Sequence, residues 1–158
     1  LDRIMAQGFD GVYLDLVDAY EAFPTRATAR QEMIDFVRAL SAYAKAKQPS
    51  FRIVPQNASD LVNDAAYLRA IDGIGQEELS FGWNGADEVA TPAAVTRQLA
   101  ANLDRVVAAR KLVLTVDYCQ QRAHTDTAYA FAAAHGYVNY CTVRDLNRLI
   151  ITPGQAPD

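Results

Sequence analysis

The sequence predicts an α/β fold of parallel strands, and within that class a (β/α)8 TIM barrel whose first strands lie upstream. Three observations predict it. Short apolar runs alternate with amphipathic stretches at helical spacing, a rhythm that calls for parallel strands and crossover helices. The strand candidates are short and apolar, as expected when both faces of a sheet are covered. The chain opens on Leu1-Asp2-Arg3-Ile4-Met5-Ala6-Gln7-Gly8, which reads as the last turns of an amphipathic helix closed by a glycine, with no N-cap before it. The expectation is that part of the protein precedes this sequence. An open doubly wound sheet is the alternative, but no G-x-G-x-x-G loop follows the first strand.

Taken in order, Asp10-Gly11 leads into the strand Val12-Tyr13-Leu14, which ends in carboxylates. A helix is predicted from about Thr28 to Lys47, with Met33, Val37, Leu40 and Ala44 on one face, and Pro49 punctuates it. Phe51 to Val54 is the second strand, closed by Pro55-Gln56-Asn57. Ser59 or Asp60 is expected to cap a helix running to about Ile71. Asp72-Gly73-Ile74-Gly75 is a weaker third strand, followed by a loop from Ser80 to Ala90. Thr91-Pro92 reads as a helix start, with Thr91 as N-cap and Pro92 as the first helical residue, and Val95, Leu99, Leu103 and Val106 on one face. Leu112 to Val116 is the fourth strand, a helix from about Thr125 to Ala134 follows, and Tyr137 to Tyr140 is the fifth. Residues 1–151 are expected to belong to one domain, with 152–158 a frayed tail.

Composition narrows the function. The 158 residues are 51% hydrophobic and 22% charged, with a formal charge of −4 and no basic cluster, so neither nucleic acid nor an anionic membrane is an expected partner. No apolar run approaches the roughly 20 residues needed to insert into a bilayer. Cys119 and Cys141 are too few for a disulfide scaffold or zinc site, and either a disulfide or two buried thiols fits. His124 and His135 read as a helix start and a helix end.

In parallel α/β folds chemistry gathers at the carboxyl ends of strands. Those ends carry Asp15, Asp18 and Glu21, then Gln56 and Asn57, then Gln76, Glu77 and Glu78, then Asp117 and Tyr118. If Val12 and Leu14 face the helices, Tyr13 and Asp15 face the lumen. The same count turns Gly73, Gly75 and Glu77 inward, and Val113, Thr115 and Asp117 inward on the next strand. Asp15 and Glu77 then lie two strands apart, about 10 Å between backbones. Inward-reaching side chains bring such a pair toward the roughly 5–9.5 Å used by glycosidase carboxylates. An inward carboxylate must be paired or functional. Capping or solvation is the plainer reading for Asp18, Glu21 and Glu78, a structural acceptor for Asp117, and packing for Trp83.

The blocks Phe9 to Tyr20, Val54-Pro55-Gln56-Asn57-Ala58, Asp72 to Leu79 and Val113 to Tyr118, in that order, resemble glycoside hydrolase family 114, which contains endo-α-1,4-polygalactosaminidases. The resemblance implies a TIM barrel of which Gly11 to Tyr20 is the fourth strand, so that this chain carries about strands 4 to 8. It implies a catalytic pair at Asp15 and Glu77, and a protein that is extracellular or exported. A chitinase-like reading of Asp15 to Glu21 fails, because D-x-x-D-x-D-x-E needs Asp where Tyr20 stands and Glu where Ala22 stands.

The leading expectation is endo-hydrolysis of an α-1,4-linked galactosamine-containing polysaccharide, with Glu77 as general acid/base and Asp15 as nucleophile. Tyr13, Asp18, Gln56, Asn57, Glu78, Trp83, Asp117 and Tyr118 are the candidate substrate contacts, and neither a metal nor an organic cofactor is called for. The strand-end carboxylates, with no Lys or Arg in the segments beside them, are expected to favour a cationic sugar. A non-catalytic carbohydrate-binding barrel is the alternative.

Overall fold

The computed structural model describes residues 1–155. Helix α1 (Asp2–Ala6) is followed by β1 (Gly11–Leu14), α2 (Ala29–Lys47), β2 (Arg52–Pro55), α3 (Ala65–Ala70), β3 (Gly73–Glu77), α4 (Ala93–Ala108), β4 (Leu112–Tyr118), α5 (Arg122–His135) and β5 (Val138–Thr142). The strands are parallel, with Gly11 opposite Arg52, Gly73 opposite Leu112 and Leu114 opposite Val138. Between β2 and β3 the ladder thins to a bridge from Gln56 to Gly75, flanked by the Asp72 N–H on the Ile53 carbonyl at 2.8 Å. The five strands therefore follow one another in chain order, each joined to the next by a helix, the α/β alternation read from the sequence.

Local chemistry accounts for most boundaries, and three expectations need correction. The segment from Ser59 is a 3-10 turn to Asn63. The helix after it is capped by Asp64, whose Oδ1 accepts from the Ala66 and Tyr67 N–H groups at 2.8 Å each. Asp64 presents a carboxylate at the position that binds two free N–H groups, which neither Ser59 nor Asp60 does. Thr91 does not cap α4; its hydroxyl donates to the Glu78 carbonyl at 2.6 Å, tying the helix start to the end of β3. The buried stripe of α2 is Ala29, Ile34, Val37, Ser41 and Ala44; Met33 and Leu40 of the predicted face lie half-buried at its edge, and Ser41 enters it with a 2.6 Å bond to the Ala70 carbonyl. The start of β5 at Val138 follows Gly136, which closes α5 with φ 75°.

The core lies between the helices and one face of the strands, where Ile53, Ile74 and Val113 meet Ile34, Val37, Leu61, Tyr67, Leu103 and Val106. Ile53, Ile74 and Val113 thus face the helices, which leaves Gly73, Gly75 and Glu77 on the opposite face, with Tyr13 beside Gly75. On β4 the expected parity is wrong. Val113 belongs to the helix-side core, and the residues paired with Gly73, Gly75 and Glu77 are Leu112, Leu114 and Val116. Thr115 and Asp117 therefore point to the helix side, and Tyr118 shares the face of Glu77.

The amino ends of the strands are built for stability. Asp72 accepts from the Ile53 N–H at 2.9 Å and pairs with Lys45 at 2.8 Å. Lys111 donates to the Leu68, Arg69 and Ile71 carbonyls at the end of α3, a favourable place for a cation.

Candidate active site

At the carboxyl ends of β1, β2 and β3 the chain leaves through left-handed residues that are not glycine: Leu16 (φ 58°), Asn57 (φ 60°) and Glu78 (φ 56°). Such backbone is sparsely populated for these residues, so each conformation is held by its surroundings. At Glu78 the kink sends two consecutive glutamates into different environments.

Glu77 enters an amide cage. Its Oε2 accepts from the Gln56 amide and from the Asn57 Nδ2 at 3.1 Å, while its Oε1 accepts from the Tyr118 hydroxyl. Asn57 is itself fixed, because its Oδ1 accepts from the Glu77 N–H at 3.0 Å and from the Gln76 Nε2 at 3.2 Å. Three residues from the ends of the two strands neighbouring β3, one of these residues braced by Gln76, thus hold the carboxylate in a single orientation, using neutral donors throughout. Tyr118 is 3% exposed, and its hydroxyl is pushed up by burial, then by its bond to Glu77, with Arg144 opposing.

Glu78 turns to Arg144, whose Nη1 donates to its Oε1 at 2.8 Å. The same guanidinium donates to the Gly82 carbonyl at 2.6 Å, approaches Asp87 at 3.5 Å and lies 4.2 Å over the Tyr118 ring. The segment between β3 and α4, which carries Trp83, is pinned at further points. Asp117 Oδ1 accepts from the Ser80 and Phe81 N–H groups at 2.6 and 2.9 Å. Glu88 accepts from the Gln120 and Gln121 N–H groups and meets His124 at 2.7 Å. Asp117, 1% exposed, is therefore a loop anchor on the helix side and lines neither cleft, contrary to its expected inward position. Burial pushes its carboxyl up; the two loop N–H donors pull it down, and neighbouring Glu78 adds to the rise.

Two clefts meet at Glu77. The larger, of about 740 Å³, runs beside α4 and is lined by Asp18, Asn57, Glu77, Glu78 and Trp83, together with Gln98 and Asn102. The smaller, of about 300 Å³, lies over the lumen face and is lined by Tyr13, Gln56, Glu77, Leu114, Val116 and Tyr140. Carboxylates crowd the outer wall of the larger one. Glu21 is raised by burial and then by Asp18 and Asp60, and Asp60 is held by Tyr20 at 2.5 Å and Arg30 at 2.9 Å.

Asp15 is exposed at the end of β1, its Oδ1 accepting from the Leu16 N–H at 2.7 Å. It lines neither cleft. Tyr13 lies against Gly75 and lines the smaller cleft with Glu77. Partial burial and then the two carboxylates, Glu77 ahead of Asp15, push the Tyr13 hydroxyl up to about 12.

The structure thus gathers Tyr13, Gln56, Asn57, Glu77 and Tyr118 tightly, with Asp18, Glu78 and Trp83 on the cleft wall. Asp15 stands at the rim and Asp117 beneath the loop. Arg144 went unnoticed in the sequence because it lies two residues past β5 and acts on residues 57 to 66 positions upstream. The strand-end rule that selected the carboxylates, extended to β5, would have reached it. It brings one guanidinium to the acidic rim from outside the segments that carry the carboxylates. Cys119 and Cys141 are buried free thiols with Sγ atoms 3.5 Å apart, and His124 and His135 sit in the first and last turns of α5. Among the described residues no cluster of His, Cys, Asp and Glu has a metal-holding arrangement, and no helix is long and apolar enough to cross a membrane.

The model of glycoside hydrolase family GH114 matches residues 1–157. An uncharacterised protein of Deinococcus radiodurans is 41% identical over 151 residues, which cover 96% of this chain and 48% of that protein. An uncharacterised protein of Methanocaldococcus jannaschii is 34% identical over 135 residues, covering 80% and 38%. The chain spans about half, or less, of the length of these curated relatives. The glycoside hydrolase domain of PelA from Pseudomonas aeruginosa superposes with a TM-score of 0.72 over 96% of this chain and 60% of that domain, at 21% identity, a likeness of fold.

Proposed function

The chain belongs to glycoside hydrolase family GH114, and on that premise we propose that it forms about strands 4 to 8 of a TIM barrel that hydrolyses an α-1,4-linked galactosamine polysaccharide outside the cell. The observation that carries the reading is the Glu77 cage. A carboxyl group at a strand's carboxyl end, with both oxygens gripped by Gln56, Asn57 and Tyr118 beside an open cleft, is a preorganised acid/base. Glu77 gives its proton to the glycosidic oxygen as that bond breaks and Asp15 attacks the anomeric carbon; Glu77 then takes a proton from water, which displaces Asp15 from that carbon and frees the sugar. Tyr118 and the two amides keep the Glu77 oxygens aimed while the proton leaves and returns. Tyr13, which lines the smaller cleft beside Glu77, is placed to contact the sugar at the scissile bond.

Substrate charge follows from the rim. Arg144 pairs with Glu78 and Asp87 and offsets one of their two charges, whereas Asp15, Asp18 and Glu21 form no ion pair among the described residues. That remaining negative field favours an amine-bearing sugar over a uronic acid. Trp83 on the cleft wall offers a face for a sugar ring.

The test is release of reducing ends from galactosaminogalactan by the full-length protein. Loss of release in Asp15→Asn and Glu77→Gln, with Glu78→Gln much milder, is the expected result. Oligosaccharide binding with no release by the unaltered protein would identify a carbohydrate-binding barrel instead.

A further inference from the structure

We propose that Arg144 is a positioning residue for Glu77, acting through Tyr118; this rests on the assignment of Glu77 as the acid/base. Tyr118 gives Glu77 its only hydrogen bond at Oε1 among the described residues, so the direction of that oxygen depends on where the phenol ring is held. Two groups hold it. The Arg144 guanidinium covers one part of the ring at 4.2 Å. Gly82 closes on another, so tightly that a Cβ there would lie 2.8 Å from the Tyr118 Cδ2 and 3.2 Å from the Arg144 Nη2. Gly82 in turn is held by the 2.6 Å bond from Arg144 to its carbonyl and by the 2.8 Å bond from its own N–H to the Val89 carbonyl. One guanidinium therefore forms one wall around the tyrosine and helps to hold the other.

The same side chain governs charge beside the acid/base. It pairs with Glu78, the neighbour of Glu77, at 2.8 Å, and stands 3.5 Å from Asp87. Removing it leaves two carboxylates unpaired near Glu77, and like charge nearby makes loss of a proton harder. Geometry makes the requirement specific to arginine. A planar fork bonds Glu78 and Gly82 while its face lies on Tyr118, whereas an ammonium is a point charge without a stacking plane. Lysine therefore restores charge but not ring position.

The experiment compares Arg144→Ala, Arg144→Lys and a control, Arg38→Ala, whose exposed pair with Asp35 lies on α2, in the full-length protein. The first readout is the NMR signal of tyrosine labelled with carbon-13 at Cζ, assigned to Tyr118 by its absence in Tyr118→Phe. The second is kcat, KM and the pH profile of reducing-end release. The expected result is a shifted or motionally averaged Tyr118 signal in both Arg144 variants and an unchanged one in the control. With it come a kcat lowered by about 30-fold at nearly constant KM and, in Arg144→Ala alone, an alkaline limb moved to higher pH, since that limb reports loss of the Glu77 proton. A Tyr118 signal unchanged in Arg144→Ala overturns the proposal whatever the activity. A moved signal in a protein that releases no reducing ends leaves the positioning in place and sinks the hydrolase reading. Full recovery of kcat in Arg144→Lys overturns ring placement in favour of charge alone.

Discussion

Replacing Glu77 tests the cage most directly, because the two obvious substitutions separate chemistry from support. In Glu77→Gln an amide nitrogen at the Oε1 position meets the Tyr118 hydroxyl, which can turn to accept. The carbonyl at the Oε2 position keeps its donors from Gln56 and Asn57. Every hydrogen bond retains a workable partner and loses only its charge assistance, a cost of about 1 kcal/mol in all for a part-exposed group. In Glu77→Ala, three donors lose their acceptor. Tyr118 is 3% exposed and bears a full penalty of about 1–3 kcal/mol, while the half-buried amides of Gln56 and Asn57 recover part of theirs from water. The sum is about 2–4 kcal/mol, or a fall in Tm of roughly 5–15 °C at about 2–4 °C per kcal/mol, against about 3 °C for the glutamine variant. Both should reduce kcat by at least about 10³-fold, since neither can supply a proton. Calorimetric unfolding and reducing-end release on the full-length protein make the comparison. Equal destabilisation by the two variants, or a glutamine variant keeping a tenth of the activity, would refute the reasoning.

Asp15→Asn should leave stability within about 0.5 kcal/mol, because Asp15 is exposed and among the described residues bonds only its neighbour's N–H, yet remove hydrolysis; a large Tm change in thermal melts would show a structural role instead. Gly75→Ala should displace Tyr13, whose hydroxyl lies 1.9 Å from where the new Cβ would stand, and lower activity with little loss of stability; a crystal structure of the variant with Tyr13 unmoved would contradict this. For Asp117, burial raises the folded-state carboxyl above its ordinary 3.8, so the native chain binds the proton more tightly than the unfolded one. Its contribution to stability is therefore present below about pH 4 and lost as pH rises through the raised value, and Asp117→Asn should flatten that part of the curve; an unchanged slope in denaturant titrations across pH would be the contrary result.

Much of the fold was legible in the sequence because it is written locally. Helical spacing within α2, α4 and α5, the apolar runs of β2 and β4, and Gly136 after α5 each depend on residues within a turn or two of one another. The face of Glu77 followed from the same logic, since strand alternation puts it with Gly73 and Gly75, against which the structure packs the Leu112 carbonyl and Tyr13. The face of β4 was not legible. Leu112, Val113, Leu114 and Val116 are apolar on both sides, so hydropathy offers no parity, and only pairing with β3 turns Val116 and Tyr118 toward Glu77 and Asp117 away. Tertiary structure also decided what each polar residue does. Asp64, not Ser59, reached the free N–H groups of α3, and Thr91 found the Glu78 carbonyl instead of its own helix. Arg144 joined Glu78, Gly82 and Tyr118 across 66, 62 and 26 residues of chain, respectively. Partners so distant in sequence are brought together by the order and stagger of parallel strands, which no local pattern encodes.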